Sequence, residues 1–415
     1  MSNRKPPSIT ASDSLFTRLK NSLLVADGDR WAWLLWAAFA ALVVVVKFDV
    51  APSPGNVFNI YRETGFRWRE GLDLYPAELY FNYFPSAALF FVPWTWLPFD
   101  IGGAIWRAAN IGIFALGLWR FTSVTELPGL ASLARSAFLV ASLFTIALCW
   151  SAARYGQITL MMAGLMMMAV ADVQRGGVWR AAIFASVAVA LKPHAMALLL
   201  VLSAIYPRLL WRALIVCAVL TLLPFLFQDP RYVFDQYAFI PEMLQTRSER
   251  TDRIFAHIFD LLGSISLVTS NLQQALVRLI SAIFVLFLCW RTVKRKPSPG
   301  VAFYLYAFTS CYILLLGAGI EPNTYAMMGP IIGLLAVCTW TAGRRSYFVT
   351  LCVMTAATLL SHTLSKAFPS HTVMGMTKPL VCLILLVLVW RLAWKTGLTA
   401  DGNIGGIRSH TQSLS

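Results

Sequence analysis

Thirteen apolar segments, from 31–48 to 376–394, follow one another with only two long polar interruptions, at 47–82 and 229–274. A helix needs about 20 apolar residues to cross a bilayer, somewhat fewer where the bilayer thins. Together these segments leave no room for a separate soluble domain. Only 13% of residues are charged, against about 25% in an ordinary soluble domain. The expected fold class is an all-α polytopic membrane protein with an N-terminal tail (1–30), a membrane domain (31–395) and a polar C-terminal tail (396–415).

The first thirty residues are polar and basic, and the first apolar run starts only at Trp31. It reads as a retained span, because a secretory signal would place a short apolar run and a cleavage site near the start. The tail from Thr396 is expected to be disordered. A net charge of +15 in a soluble protein would suggest nucleic acid. Here it reflects Lys and Arg in cytoplasmic loops, and nucleic acid is not an expected partner. The seven cysteines fall in or beside apolar segments without a CxxC pair, so they read as core residues, with no disulfide, metal or cofactor indicated.

Basic clusters at 1–30, Arg208/Arg212, Arg291–Lys296, Arg344-Arg345 and Arg391/Lys395 fit the cytoplasmic side and put both termini there. That demands an even number of crossings, so one of the thirteen segments does not span. Segment 83–99, interrupted by Pro85, Pro93 and Pro98, is one candidate. The other is a single helix over 178–206 kinked at Pro193. The first choice keeps Arg120, Arg135, Arg175 and Arg180 inside and is preferred, leaving about 12 transmembrane helices. It also sends both long loops to the extracytoplasmic face. These loops hold 11 of the 19 acids: Asp49, Glu63, Glu70, Asp73, Glu78, Asp229, Asp235, Glu242, Glu249, Asp252 and Asp260.

Two polar motifs interrupt the apolar run: Arg154-Tyr155-Gly156-Gln157 and Lys192-Pro193-His194. An ionisable group at membrane depth costs roughly 2.5–3.5 kcal/mol on insertion scales and points to function by default. Lys192 reads either as a lysine snorkelling from a helix break or as a cation held beside a lipid phosphate, with Arg154 and Gln157 as further donors to the same anion. Asp49 is either an interfacial acid paired with Lys47 or a general base towards a hydroxyl, and Glu63 is a weaker candidate in the same loop. Gly319–Tyr325 is read first as a turn. Its Glu321, Asn323 and Tyr325 could alternatively line a sugar pocket. Arg247–Arg253 reads as a solvated helix face, Asp27-Gly28-Asp29 lacks the nucleotide fold such a motif needs, and His257 with Asp260 is too small a set for a metal.

The chain resembles the integral-membrane glycosyltransferases of GT-C type, specifically family 87, which includes polyprenol-phosphate-mannose mannosyltransferases. The resemblance rests on Tyr61-Arg62 through Trp68–Tyr75, Phe81–Pro85 with Leu97-Pro98, Arg154–Gln157, Ala190–Pro193 and Glu321–Tyr325. It implies a GT-C-like helical bundle and an inverting transfer of a hexose, mannose being usual. The donor would be a polyprenyl-phosphate-linked sugar and the acceptor a lipid or glycan hydroxyl, at the extracytoplasmic face of the cell membrane. It further implies catalytic Asp49 or Glu63, donor-phosphate contacts from Lys192, Arg154 and Gln157, and acceptor or sugar contacts from Tyr61, Arg62, Glu321, Asn323 and Tyr325. Family members carry the catalytic aspartate shortly before the Tyr of the Tyr-Arg pair. Here Asn56 and Asn59 occupy that neighbourhood and the nearest upstream acid is Asp49. The rival expectations are a transporter or flippase of lipid-linked sugars, which would favour a second copy of the broken-helix motif, and an inactive subunit of the same fold.

Overall fold

The computed structural model describes residues 28–47, 56–125, 127, 137–242, 256–295, 300–367 and 372–398. Among the described residues every regular element is helical. That is the expected outcome for apolar segments in lipid, where backbone N–H and C=O groups must be satisfied within the segment itself. Seven helices or helix pairs are long and apolar enough to cross a membrane: α1 (Gly28–Val46), α4 (Phe99–Thr122), α5 (Ala137–Arg154), α9 (Pro207–Leu222, extended to Leu226), α12 (Asn271–Arg295), α14 (Gly329–Thr341, preceded by a 3-10 turn from Pro322) and the Met376–Trp394 part of α16 (Thr372–Leu398). Five shorter apolar stretches accompany them: α6 (Thr159–Gln174), α7 (Val178–Leu191), α8 (Met196–Ile205, after a 3-10 turn at Pro193–Ala195), α13 (Val301–Leu316) and the Arg345–Ser361 part of α15 (Arg345–Ala367).

Segment 83–99 belongs to neither group. It forms α3 (Pro85–Phe91) and a 3-10 turn at Val92–Thr95. Seven residues at 1.5 Å each reach about 10 Å, well short of a crossing, and Pro93 withholds the N–H that would continue the helix. Segment 178–206 is also broken. Lys192 has extended backbone (φ −152°, ψ 115°) between α7 and the Pro193 turn, as steric pressure from a following proline requires.

Close helix approach is set by glycine. A Cβ on Gly117 of α4 would lie 2.3 Å from the Gly164 carbonyl oxygen of α6, and one on Gly164 would lie 2.5 Å from that of Ile113. Gly329 and Gly333 of α14 meet the Thr145 and Ala141 backbone of α5 in the same way, at 2.9 and 2.8 Å. In lipid, helices associate through such small-residue contacts rather than through hydrophobic exclusion. Helix α6 is central, with every residue from Thr159 to Asp172 buried. Helices α9 and α12 instead turn Leu214, Leu222, Ile280 and Ile283 outward. This is an apolar rim that lipid, not water, would cover.

The two ends of the bundle differ. At the C-terminal end of α6, fully buried Asp172 pairs with Arg120 and, at 3.5 Å, with Arg180, while Arg175 donates to Ser123 Oγ at 2.7 Å. At the other end the two long loops are partly helical, contributing α2 (Phe58–Arg69), α10 (Pro230–Ala238) and α11 (Ile258–Ser264). They are tied to each other and to the bundle. Gln236 Oε1 accepts from Leu74 N at 2.9 Å, Tyr232 Oη donates to the Leu72 carbonyl at 2.7 Å, and Ala256 N donates to the Ile320 carbonyl at 2.8 Å.

Candidate functional site

Three interruptions of the helical run meet beneath α2. The first is the α5–α6 turn. Gly156 takes φ +67° there, a left-handed conformation natural to glycine at a helix end. Its carbonyl accepts from Trp106 Nε1 at 2.7 Å and Tyr155 O accepts from Val57 N at 3.0 Å. The buried phenol of Tyr61 accepts from Ile158 N at 3.2 Å, lies 3.3 Å from the Tyr83 hydroxyl and stacks on Phe91 with ring centroids 4.7 Å apart. Burial pushes this phenol well above the usual tyrosine range, with the neighbouring Tyr83 adding to the effect. Tyr61 is therefore a neutral brace for the turn.

Held in that turn, buried Gln157 donates from Nε2 to Glu321 Oε2 at 2.9 Å. The second interruption supplies Lys192, buried, whose Nζ donates to Thr159 Oγ1 at 2.7 Å. Desolvation lowers the pKa of its ammonium and the nearby Glu321 carboxylate opposes that effect. The third interruption, between α13 and α14, carries Glu321 itself. It is linked to the Lys192 break through the His194 ring, whose Nε2 sits 2.8 Å from the Ala318 carbonyl. An amide donor, a cation and a half-buried carboxylate thus converge from three distant stretches of chain.

The remaining candidates fall elsewhere. Arg154 is half-buried on the other side of the α5–α6 turn, with its guanidinium 5.5 Å from the Tyr155 ring centroid. It lines a cavity of about 220 Å³ with Ser151, Asn323, Thr358 and Lys378. Asn323 accepts from Ser151 Oγ there. Buried Tyr325 lines the same cavity and its hydroxyl donates to the Ala256 and Leu314 carbonyls at 2.7 and 3.1 Å, which braces the loop. Arg62 reaches the Leu97 carbonyl at 3.4 Å and binds α2 to the segment before α4. Glu63 is exposed and paired with Arg67 at 3.0 Å, a surface i,i+4 pair of little energetic weight.

Asp49 lies outside the described residues, as do Arg247–Arg253. Asn56, near the place where family members carry the aspartate, accepts at 3.1 Å from the N–H of Phe58, the first residue of α2. His257 and Asp260 form a reciprocal cap on α11. Among the described residues no group of His, Cys, Asp or Glu is arranged to hold a metal. The sequence reading passed over Lys378, which stands two residues inside an apolar segment, beside Pro379, and is buried. A lone lysine in such a run was the available signal.

A bundle of apolar helices whose polar breaks gather at one end defines a polytopic membrane protein with a one-ended site. The sequence profile of glycosyltransferase family 87 matches residues 81–317, more than half of the chain, and the chain belongs to that family. It is a membrane glycosyltransferase by this membership. No curated protein matches the chain in sequence. Among solved structures it is similar to the crystal structure of ArnT from Cupriavidus metallidurans in the apo state. Identity is 16%, the match covers 91% of this chain and 79% of that one, and the TM-score is 0.42. A likeness this loose transfers no residue roles.

Proposed function

We propose that the protein transfers a hexose, mannose by its resemblance, from a polyprenyl-phosphate-linked donor to a hydroxyl of a lipid or glycan acceptor, with inversion. The carrying observation is the convergence of Gln157, Lys192 and Glu321 under the loop helices. In this reaction the acceptor oxygen bonds to the anomeric carbon as the bond from that carbon to the phosphate oxygen breaks. Polyprenyl phosphate leaves with the electron pair, and the acceptor proton passes to a base. Lys192 offsets the charge gathering on the leaving group, an electrostatic contribution of the kind that needs no reorganisation during the step. Glu321 and Gln157 are suited to sugar hydroxyls as acceptor and donor. Asp49 is the proposed base.

The site end is proposed to face the extracytoplasmic side. Arg120, Arg175 and Arg180 gather at the opposite end, which supports this orientation by the positive-inside rule. The test supplies purified protein with polyprenyl-phosphate mannose and a lipid acceptor and measures free polyprenyl phosphate. Release matched by a glycosylated acceptor is the expected result. Lipid that crosses a vesicle bilayer uncleaved would make the protein a flippase, and neither outcome would mark an inactive subunit.

A further inference from the structure

We propose that His194 is a positioning residue whose ring, through the Ala318 carbonyl, sets where Glu321 stands relative to Lys192. The proposal concerns this pair of charges, and only its consequence for turnover rests on the transferase reading. A carbonyl oxygen can only accept, so the 2.8 Å contact places a proton on His194 Nε2. His194 Nδ1 is buried and has no hydrogen-bond partner. A second proton there would put an unsatisfied donor on a cation close to Lys192, so the ring stays neutral in one tautomer.

The two ends of this tie differ in stiffness. On the Lys192 side, Pro193 forces Lys192 into extended backbone, and Ala195 N closes the turn onto the Lys192 carbonyl at 3.1 Å. The ring is thereby fixed with respect to the lysine two residues before it. On the Glu321 side the chain is pliable. Ala318 lies between Gly317 and Gly319, and Gly319 takes φ +62°, backbone that glycine adopts at little cost. A Cβ on Gly317 would lie 2.5 Å from the Ile313 carbonyl oxygen and 2.8 Å from Ile320 Cδ1, so neither glycine accepts a side chain without strain. Order in this stretch has to come from hydrogen bonds. Ala256 holds Ile320, Gln157 holds the Glu321 side chain and Lys378 holds the Pro322 carbonyl at 2.9 Å. Compared with these, the bond at Ala318 is the one that ties the loop to the Lys192 break.

Around Lys192 the described titratable groups are Glu321, His194 itself and, from α2, the Tyr61 phenol, which feels the same carboxylate. Both rings are neutral, and α6 presents the uncharged Thr159 hydroxyl. Among the described residues Glu321 is then the charge that opposes the effect of burial on the ammonium. When the tie is lost the loop drifts, the carboxylate recedes, and the ammonium gives up its proton at lower pH.

The test follows the titration of Lys192 in the full chain in detergent, by NMR of isotope-labelled lysine, with Lys192→Arg assigning the signal. His194→Phe keeps a ring beside Lys192 and removes the donor, whereas the amide of His194→Gln restores one. Lys192 is expected to titrate about half a pH unit or more below wild type in His194→Phe, and at the wild-type value in His194→Gln. In a Glu321→Gln background His194→Phe should add no shift, because the effect runs through the carboxylate. In parallel transfer assays His194→Phe should lower kcat about tenfold with KM nearly unchanged, and His194→Gln should recover it. Matched melting temperatures separate a moved loop from a damaged fold, and His194→Leu replaces the phenylalanine variant if that does not purify. An unchanged or raised Lys192 titration in His194→Phe, or a shift that persists without the Glu321 carboxylate, overturns the proposal. A wild type that transfers no sugar sinks the transferase reading, and the titration still decides the tie.

Discussion

Gln157 and Glu321 are joined by a 2.9 Å hydrogen bond across 164 residues of sequence. The bond fixes the α5–α6 turn against the α13–α14 loop, so the carboxylate is held by its neighbour before any ligand arrives. Pre-set polar groups of this kind are worth more in catalysis than groups that must reorganise.

Glu321→Gln should therefore lower kcat by about a hundredfold while the protein purifies and melts as wild type, since the neutral amide keeps the shape and loses the charge. Turnover of polyprenyl-phosphate mannose by the variant is the measurement. A value within twofold of wild type would remove Glu321 from the site.

Lys192 gives a pH signature. Its ammonium pKa lies below the ordinary lysine value because of burial, with Glu321 opposing. Activity needs the protonated form, so on its alkaline side kcat/KM should fall as pH rises through that lowered value, while the acid limb belongs to the carboxylate base. In Lys192→Arg the guanidinium stays charged over the accessible range, and the alkaline fall attributable to this group should vanish even if the rate drops. A pH profile identical to wild type would contradict the assignment.

Two acids from the first loop should behave oppositely. Asp49→Ala is expected to abolish transfer in a folded protein. Glu63→Ala should stay within about twofold, because exposed Glu63 is paired with Arg67. Near wild-type turnover in Asp49→Ala would transfer the base role elsewhere.

Tyr61→Phe removes the acceptor for Ile158 N and leaves that amide unsatisfied in a buried place. A cost of about 1–3 kcal/mol in stability follows. Thermal unfolding in detergent would register it as a lower Tm, with KM for the acceptor nearly unchanged if the tyrosine is a brace.

Gly117→Val should fail at the level of packing. The new Cβ would meet the Gly164 carbonyl oxygen, 2.3 Å away, and backbone on both sides cannot yield. Loss of monodisperse protein in size-exclusion chromatography is the expected readout, whereas Gly71→Ala, in open space, should cost little beyond the strain of a positive φ.

The helical membrane architecture could be read from hydropathy, because lipid leaves the backbone few alternatives. The failure of 83–99 to span was visible in its prolines. Gln157 and Lys192 were also legible, since polar groups inside apolar runs stand out. What sequence could not supply was direction. Arg154 and Lys192 both looked like walls of one anion site, yet Arg154 lines a cavity with Ser151 and Asn323 while Lys192 donates to Thr159. Tyr61 and Tyr325 looked equally suited to sugars, and the structure engages both hydroxyls with backbone groups, because a tyrosine hydroxyl serves a backbone carbonyl or amide as readily as a ligand. Lys378 was hidden by the hydropathy of its own segment.

Lys378 also lies outside the stretch 81–317 that carries the family signature. The last helix is therefore more than an anchor. It contributes a charged wall to a chamber whose opposite wall, Arg154, belongs to the shared core. A chamber built this way takes one wall from the family core and one from a helix beyond it, so the two walls can vary separately.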